Sequence, residues 1–472
     1  MSDFLKKFGQ FSMGPIIGAL ISFITVPLIA HFILPAEVGK AGMFTLVHTL
    51  MVAFLVVGMD QAYTREYHVE KDKSRLFFHA LGIPLLLSLG LLIIFSINSH
   101  FFSNLLFESI EYASVIILMG IFGVFITVER FVLLNLRMAE RAIEFSVFTI
   151  LVRALVLLAT LLFVLFVRRD FLAIVYAMII GQMIGNMVLF IRHRKILYFS
   201  GIRFDSILLK KLLRFGLPLI VSVGIGSVLT SFDRVALRIW SDFEQLGFYN
   251  MAMKIVGILL IFPNSFNMFW IPTAYRWHEE KKGIRDFKIV SDGVLLCMSL
   301  AFVGILILRP LIMLILSAEY SEVQFLIGFL CLWPIMLTLS ETTTLGIVFS
   351  RKSYLNIFVS GIAAIVCISL NFLLVPIHGA LGVAIAIGVT WVVFFLARTV
   401  FSFRVWDGFS VIKHIVVIVI LMFLAFVNTR TEKYVIIINV ASIPILLLLN
   451  ASIVKMVFEK MKSYYQKKNI ER

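Results

Sequence analysis

MGPIIGALISFITVPLIAHFILPAEVGKAGMFTLVHTLMVAFLVVGMDQAYTREYHVEKDKSR, residues 13–75, contains two apolar runs and the two breaks that follow them. A helix crossing ~30 Å of hydrocarbon needs roughly 20 apolar residues, and each run supplies that length. The break after the first run carries a single lysine, Lys40, whereas the break after the second carries Arg65, Lys71, Lys73 and Arg75. This alternation of apolar run, weakly charged break, apolar run and basic break continues to residue 455. It predicts an all-α integral membrane protein.

The pattern extends to about fourteen spans, at 13–34, 42–62, 77–97, 112–134, 146–167, 171–191 and 215–240 in the first part of the chain. The remainder are 247–272, 291–317, 323–349, 354–375, 380–401, 412–427 and 434–454. Hydrophobic residues make up 61% of the chain and charged residues 15%, and mean hydropathy is +1.03. Barrel strands would be shorter and would alternate polar with apolar residues. Of the 42 Lys and Arg, 31 lie in or at the edges of breaks of one parity and 5 in the others. Short basic loops stay in the cytoplasm because translocating Lys and Arg is costly. That bias expects both termini in the cytoplasm and accounts for the net charge of +15 through contact with anionic membrane lipids, with no nucleic acid required. The basic tail after Lys455, which mixes Lys with Met, Phe and Tyr, reads as a lipid-surface helix. The first run is too long for a cleaved signal and lacks a small-residue cleavage site, so it is expected to stay as an anchor.

The stretch from 215 to 254 echoes the start of the chain. Pro15 and Pro218 open their respective spans, and Glu37 with Gly39 is matched by Glu244 with Gly247, 208 residues later. Arg137 and the Arg351, Lys352 pair fall at corresponding places after the fourth and tenth spans. The expected organisation is two parallel six-helix lobes, residues 1–205 and 206–408, followed by residues 409–472 with two extra helices and the tail. The basic segment 192–214 is the seam.

No phosphate-cradling nucleotide loop, metalloprotease motif or nucleophile elbow is present. Gly224 and Gly226 read as a close helix contact. Cys297, Cys331 and Cys367 read as buried free thiols inside spans. The breaks on the weakly charged side are short, the longest being 98–111, and leave no room for a catalytic domain. A membrane glycosyltransferase or polymerase would need one, so no catalytic residues are assigned and no enzyme is expected.

An ionised group at mid-membrane costs at least ~2.5 kcal/mol and therefore faces a cavity or a partner. Arg153 lies about 12 Å into its span at 1.5 Å per residue, and Glu341 lies at a similar depth in the second half. Arg153, Arg234 and Arg309 are expected to line a cavity. Asp233 with Lys254 is either a helix-pinning pair or a functional one. Asp60, Arg65 and Glu66, at the end of the second span, form either a solvated rim or a gate. Arg130 and Arg238 are close enough to span ends to snorkel to the surface, and His31 and His48 read as packed polar groups. Cations outnumber acids within the spans, which suits a phosphorylated cargo. Pro27, Pro263, Pro310 and Pro334 are expected to break or kink their helices.

Three stretches together resemble the polysaccharide and O-antigen flippase family of the multidrug/oligosaccharidyl-lipid/polysaccharide exporter superfamily. They are residues 58–68 (GMDQAYTREYH), residues 34–39 (LPAEVG), and the second-half set Asp233, Arg234, Glu244, Gly247, Tyr249 and Lys254. The resemblance covers essentially the whole chain. It implies two V-arranged lobes around a cationic cavity, and transfer of an undecaprenyl-diphosphate-linked oligosaccharide to the outer leaflet of a bacterial cytoplasmic membrane by alternating access. It also implies that Arg65, Arg153, Asp233, Arg234, Lys254 and Glu341 occupy intramembrane or gating positions. Coupling to H+ or Na+ through Asp233 or Glu341 is expected on the same footing, and polysaccharide polymerase machinery is the expected protein partner. No other cofactor and no metal are implied. The alternatives are a lipid II flippase and a multidrug antiporter of the same superfamily; the latter would want uncompensated acids for cationic drugs.

Overall fold

The computed structural model describes residues 2–198, 203–350, 352, 354–430, 434–456 and 458–459, leaving aside the side chains of residues 2–12, 15, 221, 222, 228 and 268. Arg351, Lys433, the side chain of Pro15 and the tail beyond 459 lie outside this description. The chain is helical throughout the described residues, with no strand. It divides into two compact units, Met1–Met251 and Ala252–Arg472.

The first unit contains α1 (Ser2–Phe32), α2 (Pro35–Phe54), α3 (Met59–Glu66), α4 (Lys73–Ile97), α5 (Ser99–Phe107), α6 (Ala113–Met138), α7 (Ala142–Leu162) and α8 (Phe171–Arg192). α9 (Ser206–Gly216), α10 (Leu219–Trp240) and most of α11 (Phe243–Val256) complete it. Helix starts follow local chemistry. Pro35 sits in the first turn of α2, where its missing N–H costs nothing. Asp72, Asp170 and Asp205 accept backbone N–H groups at the starts of α4, α8 and α9, satisfying donors that the helix leaves free.

The second span expected from sequence is not one helix. Val57 (φ 52°) and Gly58 (φ 68°) are both left-handed, and the axis bends by 44° between α2 and α3. A β-branched residue in that region is strained. The bend is held because Gly58 presses on the backbone of Gly216, where a Cβ on Gly58 would overlap the Gly216 carbonyl. α3 thereby becomes a separate short helix carrying Asp60, Arg65 and Glu66. It is seated by Tyr63, which is fully buried against Phe77 and Phe131 and accepts from Asn135 at 2.6 Å.

The second unit contains the end of α11, α12 (Ile261–Glu279), α13 (Ile284–Ile307), α14 (Arg309–Ile315), α15 (Val323–Thr343), α16 (Leu345–Phe349), α17 (Leu355–Phe403), α18 (Ile412–Val427) and α19 (Val435–Leu449). α15 is its most enclosed element and packs on α12, α13, α17 and α18. α17 runs 49 residues but turns at Gly379 (φ 53°, ψ −128°), which separates the eleventh and twelfth expected spans. The proline expectation holds at Pro310, beside the break between α13 and α14.

Eight helices are long and apolar enough to cross a membrane, or nine with the bent α2–α3 pair, and three more, at Ile16–Phe32, Ile412–Val427 and Val435–Leu449, are shorter. This is a multi-pass membrane protein. The count by length and apolarity falls short of fourteen among the described residues, partly because α17 holds two expected spans in one helix. Apolar side chains such as Leu86, Phe166 and Ile377 stand fully outside the packed core, as lipid permits and water would not. The interiors are packed through small residues. Gly39 lies against the Phe243 carbonyl and Gly247 against that of Pro35, and in both cases a Cβ would overlap the oxygen. The 208-residue repeat relates the two contacts to each other, Gly39 corresponding to Gly247 and Pro35 to Phe243. The small residues that let helices approach are thus Gly39, Gly42 and Gly247; Gly226 has open space beside it and Gly224 meets only Phe54, contrary to their expected role in close packing.

Candidate functional site

A polar cavity of about 330 Å³ opens within the first unit, between α2, α3, α6, α7 and α8. Its walls bear Arg130, Arg137 and Arg153 against Asp60 and Glu129, with His48 and Gln182 among the neutral groups. Asp60 and Arg130 are joined at 2.7 Å, and Asp60 also accepts from the Gln61 amide at 2.8 Å. Arg130 therefore has a specific partner reaching from α3, rather than only snorkelling beside Glu129. Glu129 accepts from Gln182 at 2.6 Å across the α6–α8 contact.

Arg153 is different. Among the described residues no ion pair or hydrogen bond holds its guanidinium, and it is exposed to the cavity. Gly18 of α1 makes room for its stem: a Cβ there would lie 3.2 Å from the Arg153 Cγ. An unpaired guanidinium, the single Lys or Arg of α7, is a ready bidentate donor for a carboxylate or phosphate. His48 lines the same cavity and packs against the ring of Phe122.

The other expected site residues fall into separate places. Arg234 donates to Asn250 at 3.0 Å and lies over the Tyr249 ring. Asn250 is wedged against Gly42. Asp233 is buried and accepts from Tyr249 Oη at 3.4 Å. Lys254 lies exposed on α11, in the part that belongs to the second unit. Arg238 pairs with Glu108 at 2.7 Å instead of snorkelling alone.

Within the second unit, Glu341 pairs with Arg398 at 2.7 Å, and Arg398 also donates to Ser340 at 2.8 Å. Sequence reasoning passed over Arg398 because it lies one turn from the end of its span and reads as a loop-proximal cation. Arg309 does not line a cavity. It is buried, donates to Gln324 at 2.9 and 3.1 Å and to the Asn428 carbonyl at 3.0 Å, and lies over Phe325. Its donors are occupied in fastening the end of α18 to α14 and α15, which corrects its assignment to substrate. The opposite end of α18 is fastened by Lys413 to Asp292 at 2.7 Å and by His414 to Ser291 at 2.8 Å. Cys331 and Cys367 are buried as expected, whereas Cys297 is exposed on the helix surface.

The profile of the polysaccharide biosynthesis protein family matches residues 4–278, well over half of the chain. The chain belongs to that family. A protein from Staphylococcus aureus described as capsular polysaccharide biosynthesis protein CapF is 22% identical over 193 residues, covering 40% of this chain. The chain matches about half the length of that relative, 49%. Among solved structures, the lipid II flippase MurJ in an inward closed conformation aligns with a TM-score of 0.74 at 14% identity, over 96% of this chain and 99% of MurJ. An inward-facing multidrug resistance MATE family transporter of the MOP superfamily aligns with a TM-score of 0.62 at 16% identity, over 84% of this chain and 94% of that one. A MOP superfamily transporter from Pyrococcus furiosus aligns at 0.53 with 16% identity, over 90% and 97% of the two chains. At these identities the likeness establishes a shared fold. For this member of the polysaccharide biosynthesis family, the fold is that of all-helical membrane transporters.

Proposed function

We propose that this protein is a transporter, not an enzyme, that moves a lipid-linked oligosaccharide across the bacterial cytoplasmic membrane, with both termini on the cytoplasmic side. The observation that carries the reading is Arg153, a guanidinium without a partner among the described residues, set in a polar cavity inside a family member with a flippase-like fold. Cavity-lining carboxylates are already engaged, Asp60 by Arg130 and Glu129 by Gln182. Gln182 is a neutral donor, so Glu129 keeps its charge, and the lining carries three arginines against two carboxylates, an excess of positive charge that favours an anionic headgroup over a cationic drug. A polyprenyl-diphosphate carrier would present its phosphates to Arg153. Its chain would stay in lipid.

Coupling to an H+ or Na+ gradient would run through Asp233 or Glu341, of which Glu341 is paired with Arg398 and Asp233 accepts from Tyr249. The cargo would be an O-antigen or other surface polysaccharide unit handed to polymerase machinery. Lipid II is the second reading, favoured by the near-complete overlap with the MurJ fold. The deciding experiment is deletion in the native host, followed by asking which leaflet holds the accumulated lipid-linked oligosaccharide and which sugar it carries. Accumulation on the inner leaflet supports the proposal; an unchanged distribution overturns it.

A further inference from the structure

Helix α9 has a second polar surface that the cavity does not use. Ile207, Lys210, Lys211 and Arg214 recur at intervals of three and four residues and share one face. Leu208 and Leu212 on the other face are buried against α3 and α4. An amphipathic helix with a basic face beside a membrane protein's core is an interfacial element. Here the face is concave rather than flat: it forms one wall of a groove of about 750 Å³, and Arg65 and Glu66 of α3 form the other.

The charges in the groove are arranged, not merely numerous. Lys211 pairs with Glu66 at 2.5 Å, which neutralises the one acid lining the groove. Arg65 is stacked on Phe215 at 4.6 Å and held in position. Arg65 also lies 3.9 Å from Glu66, so four cations, Arg65, Lys210, Lys211 and Arg214, share one acid and leave a net three positive charges facing one space. Asp205, which caps α9, is taken up by Arg75. Among these cations, Ile207 lines the groove and is 81% exposed. An exposed apolar side chain within a basic groove suits a ligand with a charged head and a hydrocarbon tail.

From this juxtaposition we infer that the groove between α3 and α9 is a docking site for the diphosphate headgroup of a polyprenyl lipid, separate from the Arg153 cavity. A net three positive charges match a diphosphate better than a singly charged phospholipid. Ile207 would meet the first isoprene units. The choice of a polyprenyl carrier rests on the transporter reading above. α3 would then connect the two sites, since Asp60, Gln61 and Thr64 face the cavity while Arg65 and Glu66 face the groove.

The test uses the full chain purified in detergent, with binding measured for undecaprenyl diphosphate, phosphatidylglycerol and inorganic diphosphate. The double variant Lys210→Gln/Arg214→Gln is expected to bind undecaprenyl diphosphate at least about tenfold more weakly, having lost two charge-assisted contacts. The Lys210→Arg/Arg214→Lys variant should retain binding, and phosphatidylglycerol binding should change little. Wild-type affinity for inorganic diphosphate should be far below that for the lipid. Three results would overturn the inference: unchanged lipid binding in the neutralised variant, equal loss of phosphatidylglycerol, or inorganic diphosphate binding as tightly as the lipid. In case the neutralised variant misfolds, p-benzoylphenylalanine in place of Ile207 provides a second readout. Photolysis should yield an adduct with undecaprenyl diphosphate that excess phosphatidylglycerol does not suppress, and absence of that adduct would also overturn the site. Because these assays read binding alone, a chain that binds lipid here yet transports nothing would retain the groove and remove the transport reading.

Discussion

Glu341 and Arg398 meet at 2.7 Å across the α15–α17 contact of the second unit. The first unit repeats the arrangement in neutral form, with Glu129 on α6 receiving a hydrogen bond from Gln182 on α8 at 2.6 Å. In both cases an acid late in a span is met by a donor on the helix two spans later. The charged version fastens its helices. The neutral version stands beside an unpaired arginine and leaves that cation available.

If Glu341 and Arg398 pin the second unit, Arg398→Met should leave a mostly buried carboxylate without its counter-charge and cost about 3 kcal/mol. Thermal melting of the purified protein in detergent should fall clearly. Adding Glu341→Gln should recover much of the loss. Equal melting of the single and double variants would argue against the pair.

Arg153 should behave in the opposite way. Arg153→Gln removes no observed contact, so membrane abundance and melting temperature should stay near wild type while surface polysaccharide falls at least about tenfold. Arg153→Lys should recover only part, because an ammonium lacks the planar fork. Normal export by Arg153→Gln would remove the cavity from the mechanism.

Asp60 and Arg130 connect α3 to α6, but Arg130 is 45% exposed. Each single charge reversal should therefore cost only about 1 kcal/mol in stability, with a larger effect on export. The double reversal, Asp60→Arg with Arg130→Asp, should regain part of the export that either single variant loses. Double-mutant analysis of surface polysaccharide levels checks this.

Gly42 makes room for Asn250, which in turn holds Arg234. Gly42→Leu should overfill the contact, cost about 1–3 kcal/mol and release Arg234. A lower melting temperature together with lost export is expected. Gly226→Leu should have little effect on melting, since nothing lies within 4 Å of the added Cβ.

His193, just past the end of α8, is held below the ordinary histidine range mainly by burial, with Arg141 and Arg192 acting in the same sense and Glu144 at 3.2 Å opposing. The folded protein therefore binds this proton less readily than the unfolded chain does. The stability contribution is complete above the ordinary value of about 6.5 and is lost as pH falls below it. Melting temperature should drop on acidification toward pH 5, and His193→Gln should reduce that drop.

The sequence by itself determined that the chain is helical and lies in a membrane, because apolar length and loop charge are one-dimensional quantities. It also carried the internal repeat through the 208-residue spacing of Gly39 and Gly247, and it pointed to Arg153, whose depth needs only counting along a helix. It could not show that the second span breaks at Val57 and Gly58, since that bend depends on Gly216 pressing from another helix. Nor could it distinguish Arg153 from Arg309. Both are arginines within apolar segments, and hydropathy treats them alike; only the tertiary structure brings Gln324 and the Asn428 carbonyl to one and leaves the other unpaired among the described residues. The role of a buried charge depends on what lies within about 4 Å of it, and those neighbours come from helices distant in sequence.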